Sequence, residues 1–356
     1  MFLLKNKLKR LIQMKNNIKR AVSLFLIVSA LFSAVSCGKN GKELLESTEE
    51  ELEIVKTIDG FEVPMEIYRY VALNYKASYE TGTSGDVWLG ESGQQLLDEL
   101  NKNVDASLIK LYTTLSICDD YGVNPEDEFF TDALDIRMEE IYKSYEYEYE
   151  TYINDLAMYN MTDGVYRFIV RNEILSEELI NKMFEKGEIA LEDGEIAAIF
   201  DTDELIRIKQ ILIEPDSDKT DEENLAFAET VLEKLENGAE FESLVDEYGD
   251  DLYMFNNDHG YYVTKGTYHT AFEETAYSLD IGEYSGVIKT DAGYSILKRY
   301  EKEPDYIDKY FDVLAEEYVK GQYNIILEKH ETALTVTDTD KLSEYSLFNL
   351  SMNSDK

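Results

Sequence analysis

The sequence predicts an α+β protein: a mostly helical domain, built from an N-terminal and a C-terminal segment, with a compact α+β module inserted into it. Three observations lead there. Apolar residues recur at three-and-four spacing through residues 94–121 and 165–187, as on amphipathic helices. The period changes to two over residues 205–213, where Ile206, Ile208, Gln210 and Leu212 share one face and Arg207, Lys209, Ile211 and Ile213 the other, as in a strand. Beyond Pro304 the helical period returns with Ile307, Phe311, Leu314, Tyr318 and Ile325. That apolar stripe needs a partner, and the incomplete helical domain before the module is expected to supply it.

The elements follow in order. Residues 1–36 read as a signal peptide: a basic start, an apolar run from Ala21 to Val35, and small residues before Cys37. Met14 is as good a start as Met1. "AVSC" resembles a bacterial lipobox, which makes Cys37 the expected lipidation site, and residues 37–54, rich in Glu, read as a tether. A strand, an Asp59-Gly60 turn and a helix entered at Pro64 open the helical domain, taken as residues 55–200. Leu97, Leu100, Val104, Leu108 and Leu111 mark the next helix; Asn124 is placed to cap another, with Pro125 in its first turn. "YEYEYE" at 145–150 alternates like a strand inside a helical stretch, and a last helix carries Ile169, Leu175, Leu179 and Met183 up to Gly187.

The module, residues 205–302, reads as strand, two helices, strand, helix and two strands. Residues 303–340 give a long helix and a final strand at "ALTVT", expected to pack on the helical domain, and residues 341–356 are a tail.

Composition removes several function classes. The chain of 356 residues carries a formal charge of −40, and −47 once residues 1–36, with seven basic and no acidic residues, are gone. Such a polyanion is repelled by phosphate backbones, so nucleic acid is not an expected partner. Only Cys118 remains beside Cys37, in "LSICDDYG", and is expected to be buried rather than reactive. His259, His269 and His330 are the only histidines, and no Cys/His set has zinc spacing, so neither a metal nor another cofactor is expected. No Ser/His/Asp or Cys/His set supports a protease.

"RIKQIL", "LENGAEFESLVDEYGDD" and "DHGYYVTKGTYHTAFEETAYSLDIGEYSGVIKTDAGYSILK" together resemble the parvulin (PpiC-type) peptidyl-prolyl isomerase domain over residues 206–300. The upstream strand-turn-helix, the "YGVNPEDEF" restart and the trailing helix resemble the chaperone domain of PrsA- and SurA-type foldases. The resemblance implies a cofactor-free rotamase that assists exported chains outside the membrane, held there by a lipid on Cys37, with unfolded polypeptides as partners. A homodimer is compatible with the sequence and not required by it. It also implies site residues. The proline pocket falls on Phe272, with Tyr268, His259 and Tyr262 on the substrate side; Asp251 takes the acidic or thiol position and Thr290 the threonine of the hairpin turn. The family's two histidines fall on Gln210 and Ser295. That paired departure leaves open a second reading, a non-catalytic holdase with a degenerate rotamase fold. Gln210, polar on an aliphatic face, is expected to need a buried partner, with Ser295 the first candidate.

Overall fold

The computed structural model describes residues 52–80, 85–192, 194–216, 219–290, 292–345, 347 and 350. Cys37 and the segments read as a signal peptide and a tether lie outside them, except residues 52–54 of the latter, where Ile54 already begins the first strand. Among the described residues the chain forms two units, one of residues 183–326 and one of residues 52–182 together with 327–350.

The second unit is mostly helical. β1 (Ile54–Ile58) and β2 (Phe61–Pro64) pair antiparallel across Asp59 and Gly60, both with positive φ, the geometry that Asp-Gly favours in a tight hairpin. β1 pairs on its other edge with β7 (Val336–Asp338), so the sheet order is β2-β1-β7. Lys56 on β1 is buried between Asp105, at 2.9 Å, and Asp338. Four helices of this unit are α1 (Met65–Glu80), α2 (Gly90–Ser116), α3 (Glu128–Ser144) and α4 (Tyr149–Met158). A fifth, α5 (Asp163–Lys186), starts here and ends in the other unit. Leu100, Val104 and Leu108 of α2 and Ile169, Leu175 and Leu179 of α5 are buried, as their spacing implies.

α3 starts later than Asn124 and Pro125 suggest. Asn124 accepts from Glu126 N–H in a local turn, since a residue before proline is pushed to extended backbone, and Asp127 caps the helix by accepting from Phe129 N–H. "YEYEYE" is no strand: it forms the turn between α3 and α4 and the start of α4. Cys118 is buried, donates to the Thr114 carbonyl at 3.1 Å, and has its thiol pushed up to about 11 by burial.

On α5, Glu173 is pushed up to about 7, first by burial and then by Glu177, against the pull of Arg137. A carboxyl raised in the folded state stabilises most below its unfolded pKa and loses that contribution as pH rises through 7. Glu173→Gln is therefore expected to stabilise the chain by about 2 kcal/mol at pH 8 and by little at pH 5, read by urea unfolding. An equal effect at both pH values would contradict this.

In the unit of residues 183–326 a four-stranded antiparallel sheet has the order β4-β3-β6-β5, with β3 (Leu205–Ile213), β4 (Tyr261–Thr264), β5 (Tyr284–Thr290) and β6 (Gly293–Tyr300). Alternation along β3 splits its core. Ile211 and Ile213 pack with Ala228, Val231 and Leu235 of α7 (Asp221–Glu236) and with Phe241 and Leu244 of α8 (Phe241–Tyr248). Ile206 and Ile208 pack on the other side with Phe272 and Ala276 of α10 (Thr270–Ser278). A third cluster joins α6 (Glu195–Phe200), Leu205, Tyr262 and the first half of α11 (Tyr306–Glu331). α9 (Leu252–Asn256) is a short helix between α8 and β4.

Candidate active site

β3 puts Gln210 on the face of Ile206 and Ile208, a polar side chain in an aliphatic row, and its amide is satisfied at both ends. Nε2 donates to Asp251 Oδ2 at 2.7 Å, and Oε1 accepts from Ser295 Oγ at 3.1 Å. Only this orientation of the amide suits a carboxylate, which accepts and cannot donate. Ser295 is fully buried on β6, opposite Leu212.

Asp251 is the hub. It is 8% exposed and caps α9, its Oδ1 accepting from the backbone N–H of Tyr253 at 2.9 Å and Met254 at 3.4 Å. Its Oδ2 accepts from Tyr261 Oη at 2.6 Å as well as from Gln210. Four donors around one buried carboxylate offset the loss of its hydration. Burial, and then the charge of Asp251, push the Tyr261 phenol far above its ordinary value, so it remains a protonated donor.

Aromatic rings stand against this polar hub. Tyr253 stacks on Tyr261 with centroids 4.7 Å apart, Phe272 meets Tyr261 edge-on at 6.2 Å, and Tyr268 stacks on Phe272 at 5.2 Å. Phe272 is itself only 6% exposed. The loop carrying Tyr268 is fixed by Glu273, whose carboxylate accepts from the backbone N–H of Gly266, Thr267 and Tyr268 at 2.7–2.9 Å. The short helix α9 leaves Leu252 and Phe255 mostly exposed.

The structure thus brings Gln210, Asp251, Ser295, Tyr268 and Phe272 into one connected set, and it puts three other residues elsewhere. Thr290 pairs with Gly293 at the β5–β6 turn and donates to its carbonyl at 3.2 Å. Gly293 has φ +133, and a Cβ there would lie 2.4 Å from the Ile213 carbonyl oxygen, so only glycine fits that turn. Tyr262 stacks on Tyr306 at 3.6 Å and accepts from Glu303 N–H. His259 bonds Glu303 through Nδ1 and packs its ring on Tyr306 and Tyr310; Arg207 pairs with the same carboxylate at 2.7 Å.

Tyr261 and Tyr253 are the members that the sequence did not single out. Alternation was the usable signal, because Tyr261 and Tyr262 must point to opposite faces of β4. Among the described residues no group of His, Cys, Asp and Glu could hold a metal ion, and no helix is long and apolar enough to cross a membrane.

Residues 205–301 match the family model described as the PPIC-type PPIASE domain, a rotamase. The chain is similar to the foldase protein PrsA of Geobacillus kaustophilus, 26% identical over 251 residues that cover 70% of this chain and 78% of that one. It is also similar to the foldase protein PrsA of Bacillus subtilis, 31% identical over 138 residues that cover 38% of this chain and 44% of that one. Among solved structures, the foldase protein PrsA of Streptococcus pneumoniae aligns over 73% of this chain and 93% of its own, at 21% identity and a TM-score of 0.34.

Proposed function

We infer that this chain, whose residues 205–301 are a PpiC-type rotamase domain, is a peptidyl-prolyl cis-trans isomerase and foldase for exported proteins. An Xaa-Pro bond exchanges in tens to hundreds of seconds because a partial double bond must rotate over about 18–20 kcal/mol. Lowering that barrier takes no bond breaking, only a surface that holds the twisted amide better than the planar one.

The observation that carries this reading is the closed set of Asp251, Gln210, Ser295 and Tyr261 against the rings of Tyr268 and Phe272. In the reading, Phe272, Tyr268 and Tyr261 grip the proline ring. Asp251, Gln210 and Ser295 hold fixed dipoles beside the rotating amide, with no proton passed. Thr290 fastens the hairpin that carries Ser295, and His259 and Tyr262 act on substrate through the position of β4. The network is complete without histidine, which supports activity at a site whose two family histidine positions are Gln210 and Ser295.

The compartment follows from the sequence. Cys37 after "AVSC" supports a lipid anchor on the outer face of the bacterial cell membrane, and unfolded or newly exported polypeptides are the partners. The test is exchange NMR on an Ala-Pro peptide with the full chain. Cis/trans exchange is expected to accelerate, and Phe272→Ala to abolish the acceleration. An unaccelerated peptide would overturn the enzyme reading.

A further inference from the structure

The turn between α3 and α4 builds a cavity that the rotamase site does not use. It has a volume of about 120 Å³ and is lined by Tyr142, Tyr145, Tyr147, Glu148, Tyr149 and Tyr152. A cavity of roughly 150 Å³ takes one benzene-sized group. This one therefore fits the head of a single side chain.

Its walls are tyrosine rings that meet one another edge to face at steep angles. Tyr142 and Tyr152 meet at 84°, Tyr145 and Tyr152 at 72°, and Tyr142 and Tyr149 at 68°, with centroids 5.1–6.0 Å apart. Three of the five hydroxyls are engaged with carboxylates: Tyr142 and Tyr152 donate to Asp163 at 2.8 and 2.9 Å, and Tyr147 donates to Glu139 at 2.9 Å. Ring faces carry the negative side of the aromatic quadrupole, so such a cage attracts a cation.

The backbone of the turn and a neighbouring arginine both bear on the cavity. Glu146 and Tyr147 both hold left-handed backbone, with φ of 54° and 61°, a costly conformation for residues other than glycine. It is spent on a turn that brings Tyr147, Glu148 and Tyr149 around the cavity. A built-in cation already uses this aromatic system: the Arg167 guanidinium lies 6.0 Å from the Tyr142 ring centroid and is tied to Asp163 at 2.9 Å and Asp135 at 3.6 Å. Arg167 is not among the residues that line the cavity. Beside it lies a depression formed by Asp135, Ile136, Glu139, Glu140, Lys143 and Tyr147, in which three carboxylates outnumber one ammonium.

We propose that this tyrosine cage, with Glu148 at its rim, takes the charged head of an arginine or lysine in an unfolded polypeptide. The proposal rests on the foldase reading for the nature of the ligand. It gives the helical unit a way to hold a client by its basic residues.

The test titrates the full chain with a disordered peptide carrying one arginine and with the same peptide carrying neutral citrulline. The arginine peptide is expected to bind about tenfold more tightly at low salt. Tyr149→Leu and, separately, Glu148→Lys are expected to shrink that ratio to about twofold, while Phe272→Ala leaves it unchanged. Circular dichroism checks that each variant is folded. Equal binding of the two peptides, or a preference that survives both cage variants, would overturn the proposal. So would tetramethylammonium binding more tightly than the arginine peptide, which would assign the cage to a quaternary ammonium. Exchange of a proline peptide without basic residues, read on the same sample, separates the two ideas: its failure with the arginine preference intact sinks the isomerase and supports the cage.

Discussion

Asp251→Ala is expected to lower prolyl exchange at least a hundredfold and to destabilise the chain by about 3 kcal/mol. The reason is the number of groups that depend on one carboxylate. Gln210, Tyr261 and the backbone N–H groups of Tyr253 and Met254 all donate to it, and the residue is 8% exposed. Truncation leaves those donors without an acceptor and frees the Gln210 amide to turn. Asp251→Asn is expected to be milder in stability, because its carbonyl oxygen still caps α9, while its NH₂ opposes the donors of Gln210 and Tyr261. Exchange NMR and urea unfolding on the same samples separate the two effects. Wild-type exchange in a folded Asp251→Ala chain would remove the hub from the mechanism.

The second large effect is alkaline unfolding. Tyr68, Tyr70, Tyr112 and Tyr152 in the helical unit are at most 2% exposed, and burial is the first cause that raises each of them well above the ordinary tyrosine value of 10.0. In the unfolded chain they ionise near pH 10. Their stabilising contribution is therefore complete below pH 10 and falls as pH rises towards their folded values. At pH 11 each costs about 1.4 kcal/mol, and four together match the lower end of domain stability, about 5 kcal/mol. The helical unit is expected to unfold cooperatively between about pH 10 and 11.5, with tyrosinate absorbance and circular dichroism changing together. Gradual ionisation with the helix signal intact would refute it.

Legibility in the sequence followed the range of the forces involved. The bounds and both faces of β3 could be read from alternation alone, and Gln210 announced its need for a partner by interrupting an aliphatic row. Short-range chemistry misled at Asn124, where proline next door turns a good capping residue into a turn former and Asp127 takes its place. "YEYEYE" has the period of a strand, yet two left-handed residues gather its tyrosines around a cavity. The choice between Tyr261 and Tyr262 depends on register against β3, which a four-residue strand hardly fixes by itself. Nor does any local signal show that Leu314 and Ala315 of α11 share a core with Leu205 and Tyr262, because those residues lie far from them along the chain.

The pairing of β1 with β7 sets a timetable. Ile58 meets Val336 and Thr57 meets Thr337, so the three-stranded sheet is incomplete until almost the whole chain is available. The unit of residues 183–326 is one continuous stretch and needs nothing from either end to assemble its strands. As the polypeptide lengthens from its N terminus, the later segment finishes first, and the earlier one waits with β1 unpaired on one edge. A helper of folding is thus itself exposed, for that interval, to the hazard of an open strand edge.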